Sequence, residues 1–303
     1  MASQKDVKNR ISSVRNIQKI TRAMEMVAAA RLRRAEQRIE HLRPYAGAIR
    51  RMTRRTAEAV ENIPNMPLLE EHDSVERVGV LLVTGDRGLA GAFNSQIVRA
   101  GIRRGQELSD QGKQPVWYAS GRRGVGSLRF RGQDVTGSYE GFTDRPAFAD
   151  ARDIAGDLAT AYVDGKVDRV EVIYNGYVSP LTQTVTTEVL LPLQAIEDLT
   201  SAEGETAEET AAEEHSARTA WLYEPEPEEI LQRLVPDYIE ISIFRALLES
   251  TASEHGARMT AMRNAQENAS DMIDDLTLEM NRQRQAEITQ EIMEVVAGAE
   301  GLT

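Results

Sequence analysis

The chain's 303 residues are 41% hydrophobic, 28% charged and only 5% aromatic, a balance that suits long, exposed helices better than one compact globule. Cysteine is absent, which excludes disulfide frameworks, thiol nucleophiles and cysteine-based metal sites and fits a reducing compartment. No run of about 18 apolar residues is present to span a bilayer, and the opening residues lack the apolar core of a secretory signal.

The net charge of −12 is unevenly spread. Residues 1–58 carry 15 Lys/Arg and 5 Asp/Glu, a balance of +10, whereas residues 197–229 carry 12 Asp/Glu and one Arg, a balance of −11. A basic arm suits nucleic acid, anionic lipid or an acidic protein, and charge alone does not choose among them.

From residue 4 to about 58, Val7, Ile11, Val14, Ile17, Ile20, Met24 and Val27 recur at steps of three and four, the helical period. Such a helix reaches roughly 80 Å, longer than a compact domain usually holds. Pro44 is a point where it can bend, and Ile63 to Pro67 ends it. The middle of the chain changes character. Val78 to Thr84 is a short apolar, β-branched run, read as a buried strand. A glycine-rich turn, Gly85 to Gly91, leads into a helix over Phe93 to Glu107. Pro115 to Ala119 is a second strand, Ala147 to Val163 a second helix, Asp168 to Tyr174 a third strand and Thr184 to Leu191 a fourth. Strand and helix alternating in this way indicate an α/β layer domain. Residues 200–219 are acidic, small and low in complexity, and are read as a mobile loop dispensable for folding.

Past Pro225 and Pro227 a helical pattern returns, unbroken by proline after Pro236, through Phe244, Leu247, Leu248, Met259, Met262, Ala269, Ile273, Leu276 and Met280. Ile288, Ile292, Val295 and Ala299 continue it with a shifted phase. The pattern predicts a helix over 237–300, near 90 Å long. Two long helices with narrow apolar stripes, joined through a globular insert, can bury those stripes by pairing antiparallel. The chain therefore divides into an N-terminal helix, 1–62, an α/β domain, 63–227, and a C-terminal helix, 228–303.

Motifs for chemistry are sparse. Gly85, Gly88 and Gly91 follow a strand and precede a helix, as a phosphate cradle would. Their spacing matches neither the dinucleotide fingerprint nor the P-loop, and no lysine enters the turn. The simpler reading is that glycine permits a tight strand-to-helix crossing. His41, His72, His215 and His255 have no second ligand at metal-binding spacing, and no serine lies in G-x-S-x-G. No catalytic, cofactor-binding or metal-binding residue is assigned. The basic helix has a single aromatic, Tyr45, where a nucleic-acid surface would interleave several.

A family resemblance rests on several stretches. Lys8 to Ile11 and Lys19 to Ala29 resemble the opening helix of the γ subunit of the F-type, rotary ATP synthase. Gly85 to Asn94 resembles that family's first strand-to-helix turn, Tyr174-Asn175 with Leu181 to Gln183 its later strands, and Ile288 to Ala299 its C-terminal signature. Ala90 stands where many relatives have cysteine, and without a cysteine pair the thiol switch of chloroplast members cannot operate. The resemblance implies α/β plus a long antiparallel coiled coil, with the N- and C-terminal helices forming a shaft around an inserted Rossmann-like domain. It implies the non-catalytic central rotor shaft of a proton-translocating ATP synthase. It implies no cofactor and a peripheral place on the cytoplasmic face of a bacterial cell membrane. The implied partners are the alpha and beta subunits of the catalytic hexamer, the epsilon subunit and the c-ring, with no nucleic acid. By the same resemblance Met24, Arg284, Gln285 and Thr289 contact the catalytic ring, and Tyr223 and Glu224 form the foot on the c-ring. A nucleotide-binding enzyme with helical arms and a nucleic-acid-associated coiled coil are the rival readings; both leave the C-terminal signature unexplained.

Overall fold

A computed structural model describes residues 4–60, 66–193 and 223–300. The acidic stretch 200–219 and His215 lie outside the described residues. Ten elements follow in order: α1 (Gln4–Ala59), β1 (Arg77–Val83), α2 (Phe93–Asp110), β2 (Gln114–Ser120), α3 (Arg122–Phe130), β3 (Val135–Tyr139), α4 (Phe148–Val163), β4 (Arg169–Tyr177), β5 (Gln183–Leu191) and α5 (Pro227–Glu300). The chain forms two compact units, one of Met1–Ala30 with Arg258–Thr303, the other Arg31–Ala257.

Each predicted strand and each predicted helix of the middle region is present. Two elements were not foreseen, the short helix α3 and the edge strand β3. The C-terminal helix also starts earlier than predicted, at Pro227, and runs through Pro236. Pro227 suits a first helical position, where no N–H is needed. Pro236 removes one helix bond, and the burial of Leu231, Leu234, Val235 and Ile239 around it offsets the loss. Pro44 likewise lies inside an unbroken α1.

In the first unit, Val7, Ile11 and Leu276 form a small core, with Val14, Ile273 and Met280 packed against it. Arg263 Nε donates to Glu25 Oε1 at 3.0 Å. Early residues of α1 thus meet late residues of α5, and the pairing is antiparallel. The α5 stripe through Met262, Ala269, Ile273, Leu276 and Met280 faces inward as predicted.

The α1 stripe does so only in part: Val7, Ile11 and Val14 face inward, but most of the apolar residues that follow do not. Ile17, Ile20 and Val27 are 53%, 58% and 53% exposed. Within this unit the covered line runs on from Val7, Ile11 and Val14 through Gln18, Thr21, Glu25 and Ala28. Its steps alternate four and three, a strict seven-residue repeat. Val14, Ile17 and Ile20 follow at successive steps of three, each about 60° short of a full turn of 3.6 residues, so a stripe traced by apolarity alone walks off the seam. Thr21 can sit there because its hydroxyl donates to Gln18 O at 3.0 Å, and Glu25 because Arg263 meets it.

In the second unit a five-stranded sheet has the order β3-β2-β1-β4-β5, parallel except for the antiparallel β4–β5 pair. The central strand β1 is covered on both faces, which explains its continuous apolar run. On one face Val78, Val80 and Leu82 pack with Phe93, Ile97 and Leu108 of α2 and Val125 and Leu128 of α3. On the other, Leu81 and Val83 pack with Ile154 and Leu158 of α4 and with Val235, Ile239, Ile243 and Leu247 of α5.

Candidate functional site: a crevice closed by the chain's own groups

In a parallel sheet of this kind a ligand crevice opens beyond the carboxyl ends of the strands, where the strand order reverses. Here that place is the end of β1, flanked by β2 and β4. The glycine-rich turn Gly85–Gly91 and the N-terminus of α3 border it. Both are positions at which backbone N–H groups could hold an anion.

Side chains of the same chain occupy it. Asp86 Oδ1 accepts from Arg122 N at 3.1 Å, at the start of α3. Asp86 Oδ2 accepts from Gly141 N at 2.9 Å, Thr143 N at 3.2 Å and Thr143 Oγ1 at 2.9 Å. Thr84 Oγ1 accepts from Gly124 N at 2.9 Å. The α3 N-terminus, with its partial positive charge, is thus answered by a carboxylate and a hydroxyl of the turn. From α5, Ser250 Oγ donates to Val83 O at 3.3 Å and Ser253 Oγ to Asn175 O at 3.0 Å, capping the ends of β1 and β4. The Glu254 carboxylate sits so close to Gly85 that a Cβ there would lie 2.7 Å from Oε2. Gly121, at φ +90, passes so near Thr84 O that its Cβ would lie 2.2 Å away. The glycines serve close packing of chain on chain, as the simpler sequence reading holds.

Partial burial acts to raise the Asp86 pKa, but the hydrogen bonds from Gly141, Arg122 and Thr143 outweigh it and hold the carboxyl below its usual range. A carboxyl whose folded pKa is depressed contributes stability above its unfolded pKa of about 3.9, and that stability is lost as pH falls through the folded value. Asp86→Asn removes charge-assisted bonds and should lower stability at pH 7 by about 1–2 kcal/mol. Melting temperatures measured from pH 7 down to pH 3 should fall less steeply for the variant than for the parent chain.

The residues carried over from the family resemblance fall into both units. Met24 is half-buried on α1 in the first unit, beside Glu25. Arg284, Gln285 and Thr289 are exposed on α5 in the same unit, about 30–40 Å along the helix from the Glu25–Arg263 pair. Thr289 Oγ1 donates to Gln285 O at 2.8 Å, so two of these residues are locked one turn apart. From Arg284 to Ala297 every position of α5 is exposed, including Ile288, Ile292, Met293, Val295 and Val296. Tyr223 and Glu224 belong to the second unit, where Tyr223 OH donates to Arg55 O at 3.2 Å and Glu224 is exposed. Within the first unit, Met24 and the group Arg284, Gln285 and Thr289 are therefore separate surfaces. Sequence reading missed the bare row Ile17, Ile20 and Val27; its signal was the seven-residue repeat beside it. It also missed Glu254 and Asp144, for which the sequence carries no local signal.

Two terminal helices paired antiparallel, carrying a Rossmann-like layer whose crevice is filled from within, define a stalk subunit. The family model described as ATP synthase matches residues 3–302. The ATP synthase gamma chain of Rubrobacter xylanophilus is 41% identical, covering 100% of this chain and 99% of its own length. That of Moorella thermoacetica is 41% identical over the whole of both. The sodium ion specific gamma chain of Acetobacterium woodii is 38% identical, covering 98% of each. Among solved structures, the central stalk and c-ring of the Tetrahymena thermophila mitochondrial ATP synthase contains a chain 26% identical, with a TM-score of 0.59, covering 81% of this chain and 99% of that one. A chain of the Euglena gracilis enzyme shares the fold, with a TM-score of 0.66 at 17% identity, covering 99% and 94%. The chain belongs to the family of ATP synthase gamma chains, the central shaft of the rotary enzyme.

Proposed function

We propose that this chain carries torque in a proton-translocating ATP synthase and neither binds nor turns over nucleotide itself. One observation carries the reading: the place where such a sheet would take a phosphate is filled by Asp86, Thr84 and Glu254 of the chain. Catalysis then belongs to the alpha and beta subunits. The exposed apolar row of the first unit, with Met24, Arg284, Gln285 and Thr289, turns against them. Tyr223 and Glu224 form the foot on the c-ring, and the epsilon subunit completes the rotor. In domain terms the shaft helices are 1–62 and 228–303, with 63–227 between them. No described helix is long and apolar enough to cross a membrane. The chain's place in this reading is peripheral, on the cytoplasmic face, as part of the complex. An asymmetric shaft drives its partners only by contacting their open and closed states differently.

Two measurements test this. Equilibrium dialysis of the isolated chain should find no stoichiometric ATP; one tight nucleotide per chain overturns the reading. In vesicles bearing the reconstituted complex, ATP-driven proton uptake should require this chain. Uptake that persists without it would also sink the proposal.

A further inference from the structure

The connection between β3 and α4, residues 140–147, is bonded to an unusual number of elements. At one end it is fixed to the β1–α2 turn: Asp86 takes Gly141 N and Thr143, and Asp86 N donates back to Thr143 Oγ1 at 2.8 Å. From α5, the Thr251 hydroxyl shares its one proton between Leu247 O at 2.7 Å, within its own helix, and Thr143 O of the connection at 2.9 Å. From α1, Arg31 Nη1 donates to Asp144 Oδ2 at 2.7 Å, and Arg87 of the turn approaches the same oxygen at 3.2 Å. Arg38, also on α1, donates to Pro146 O. Where the connection enters α4, Phe148 meets Phe244 of α5 edge-on at 5.5 Å and packs against the small core of Ile49 from α1 with Leu234 and Ile241 from α5. All these residues lie within the second unit.

We infer that this connection is the strap through which the α/β layer and the two shaft helices grip one another in rotation, with Asp144 its positioning residue on α1. The geometry gives the reason. A turn of α1 about its own axis stretches the Arg31–Asp144 pair and the Arg38 bond. A turn of α5 breaks the Thr251 bond. The strap cannot follow either helix, because Asp86 holds it to the end of β1. Hydrophobic packing resists separation but has no direction and permits sliding; hydrogen bonds and an ion pair resist a change of angle. This deepens the proposed role and rests on the reading that rotation passes between the α/β layer and the helices.

The test uses the reconstituted complex, with ATP hydrolysis and proton uptake followed together against an imposed proton gradient. Asp144→Ala should leave unloaded hydrolysis unchanged. Under load, hydrolysis without proton transfer should rise about five-fold, the factor carried by one lost ion pair of about 1 kcal/mol. Thr251→Val should do the same from the α5 side. Exchanging the pair, Arg31→Asp with Asp144→Arg, in a chain that also carries Arg87→Ala to remove the second cation at Asp144, should restore tight coupling. Uptake per ATP under load that matches the parent in both single variants, whatever their melting temperatures, overturns the strap. So does a loss that the charge exchange leaves uncorrected. If Asp144→Ala does not assemble, Thr251→Val decides alone. Failure of the broader reading looks different, because the parent chain itself would then support no ATP-driven uptake.

Discussion

Leu276→Asp should unpair the two helices of the first unit. Leu276 is 6% exposed and meets Val7 and Ile11, with Val14, Ile273 and Met280 around it. The change removes a buried leucine and sets an unpartnered carboxylate in the seam, a loss of about 3–5 kcal/mol. Long helices with narrow apolar stripes take most of their stability from a partner. Far-UV circular dichroism of the isolated chain should show lost helix, and hydrogen exchange should rise across residues 4–30. Ile288→Asp is the control: Ile288 is 48% exposed, so stability should change by less than about 0.5 kcal/mol. Equal effects from both would mean that the seam is not where Leu276 lies.

Gly121→Ala should be among the most damaging single-methyl changes in the α/β layer, while Gly126→Ala, one turn away in α3, should stabilise. At Gly121 the φ of +90 is closed to L side chains, and the new Cβ would lie 2.2 Å from Thr84 O and 2.6 Å from Thr84 C. Both are backbone atoms tied in place, since Thr84 N donates to Ser120 O at 2.8 Å and Arg123 N to Gly85 O at 3.2 Å. Neither side can yield without opening the two turns, so a loss of about 4 kcal/mol or more is expected. At Gly126 a Cβ would meet nothing within 4 Å and the residue is helical. Alanine there should gain about 0.5–1 kcal/mol from helix propensity and a less flexible unfolded chain. Urea unfolding of the two variants should move in opposite directions; the same direction for both would refute the account of Gly121.

These glycines also show why part of the fold was hidden. The strands and helices with strong periodicity, from β1 to β5, were legible because burial on a parallel sheet demands β-branched runs and amphipathic crossings. The helix α3 and strand β3 were not. Gly124 and Gly126 in α3, and Gly137 in β3, read locally as breaks. Packing requires two of them: a Cβ at Gly124 would lie 2.6 Å from Thr84 Oγ1, and one at Gly137 2.6 Å from Tyr118 Cδ1. The seam of α1 was hidden for another reason. It is lined by Gln18, Thr21 and Glu25, while the more apolar Ile17, Ile20 and Val27 face outward. Hydropathy marks what wants cover, and in an isolated subunit that includes surfaces meant for partners. The contents of the crevice were not legible at all. The turn at Gly85 and Asp86 is distant in sequence from Glu254, and Gly85 meets the Glu254 carboxylate only because α5 crosses the end of β1.

That meeting has a thermodynamic consequence. A fold that binds a free ligand is stabilised by mass action, in proportion to RT ln(1 + [L]/Kd), so its rigidity follows the ligand's concentration. A shaft working among subunits that consume and release ATP would, with an open crevice, stiffen and soften as the nucleotide supply changed. Asp86 and Glu254 are covalently attached ligands, present at a fixed local concentration whatever surrounds the molecule. On the proposed reading, the stiffness of the α/β layer is thereby uncoupled from the energy state of the cell, leaving rotation angle as the variable it reports.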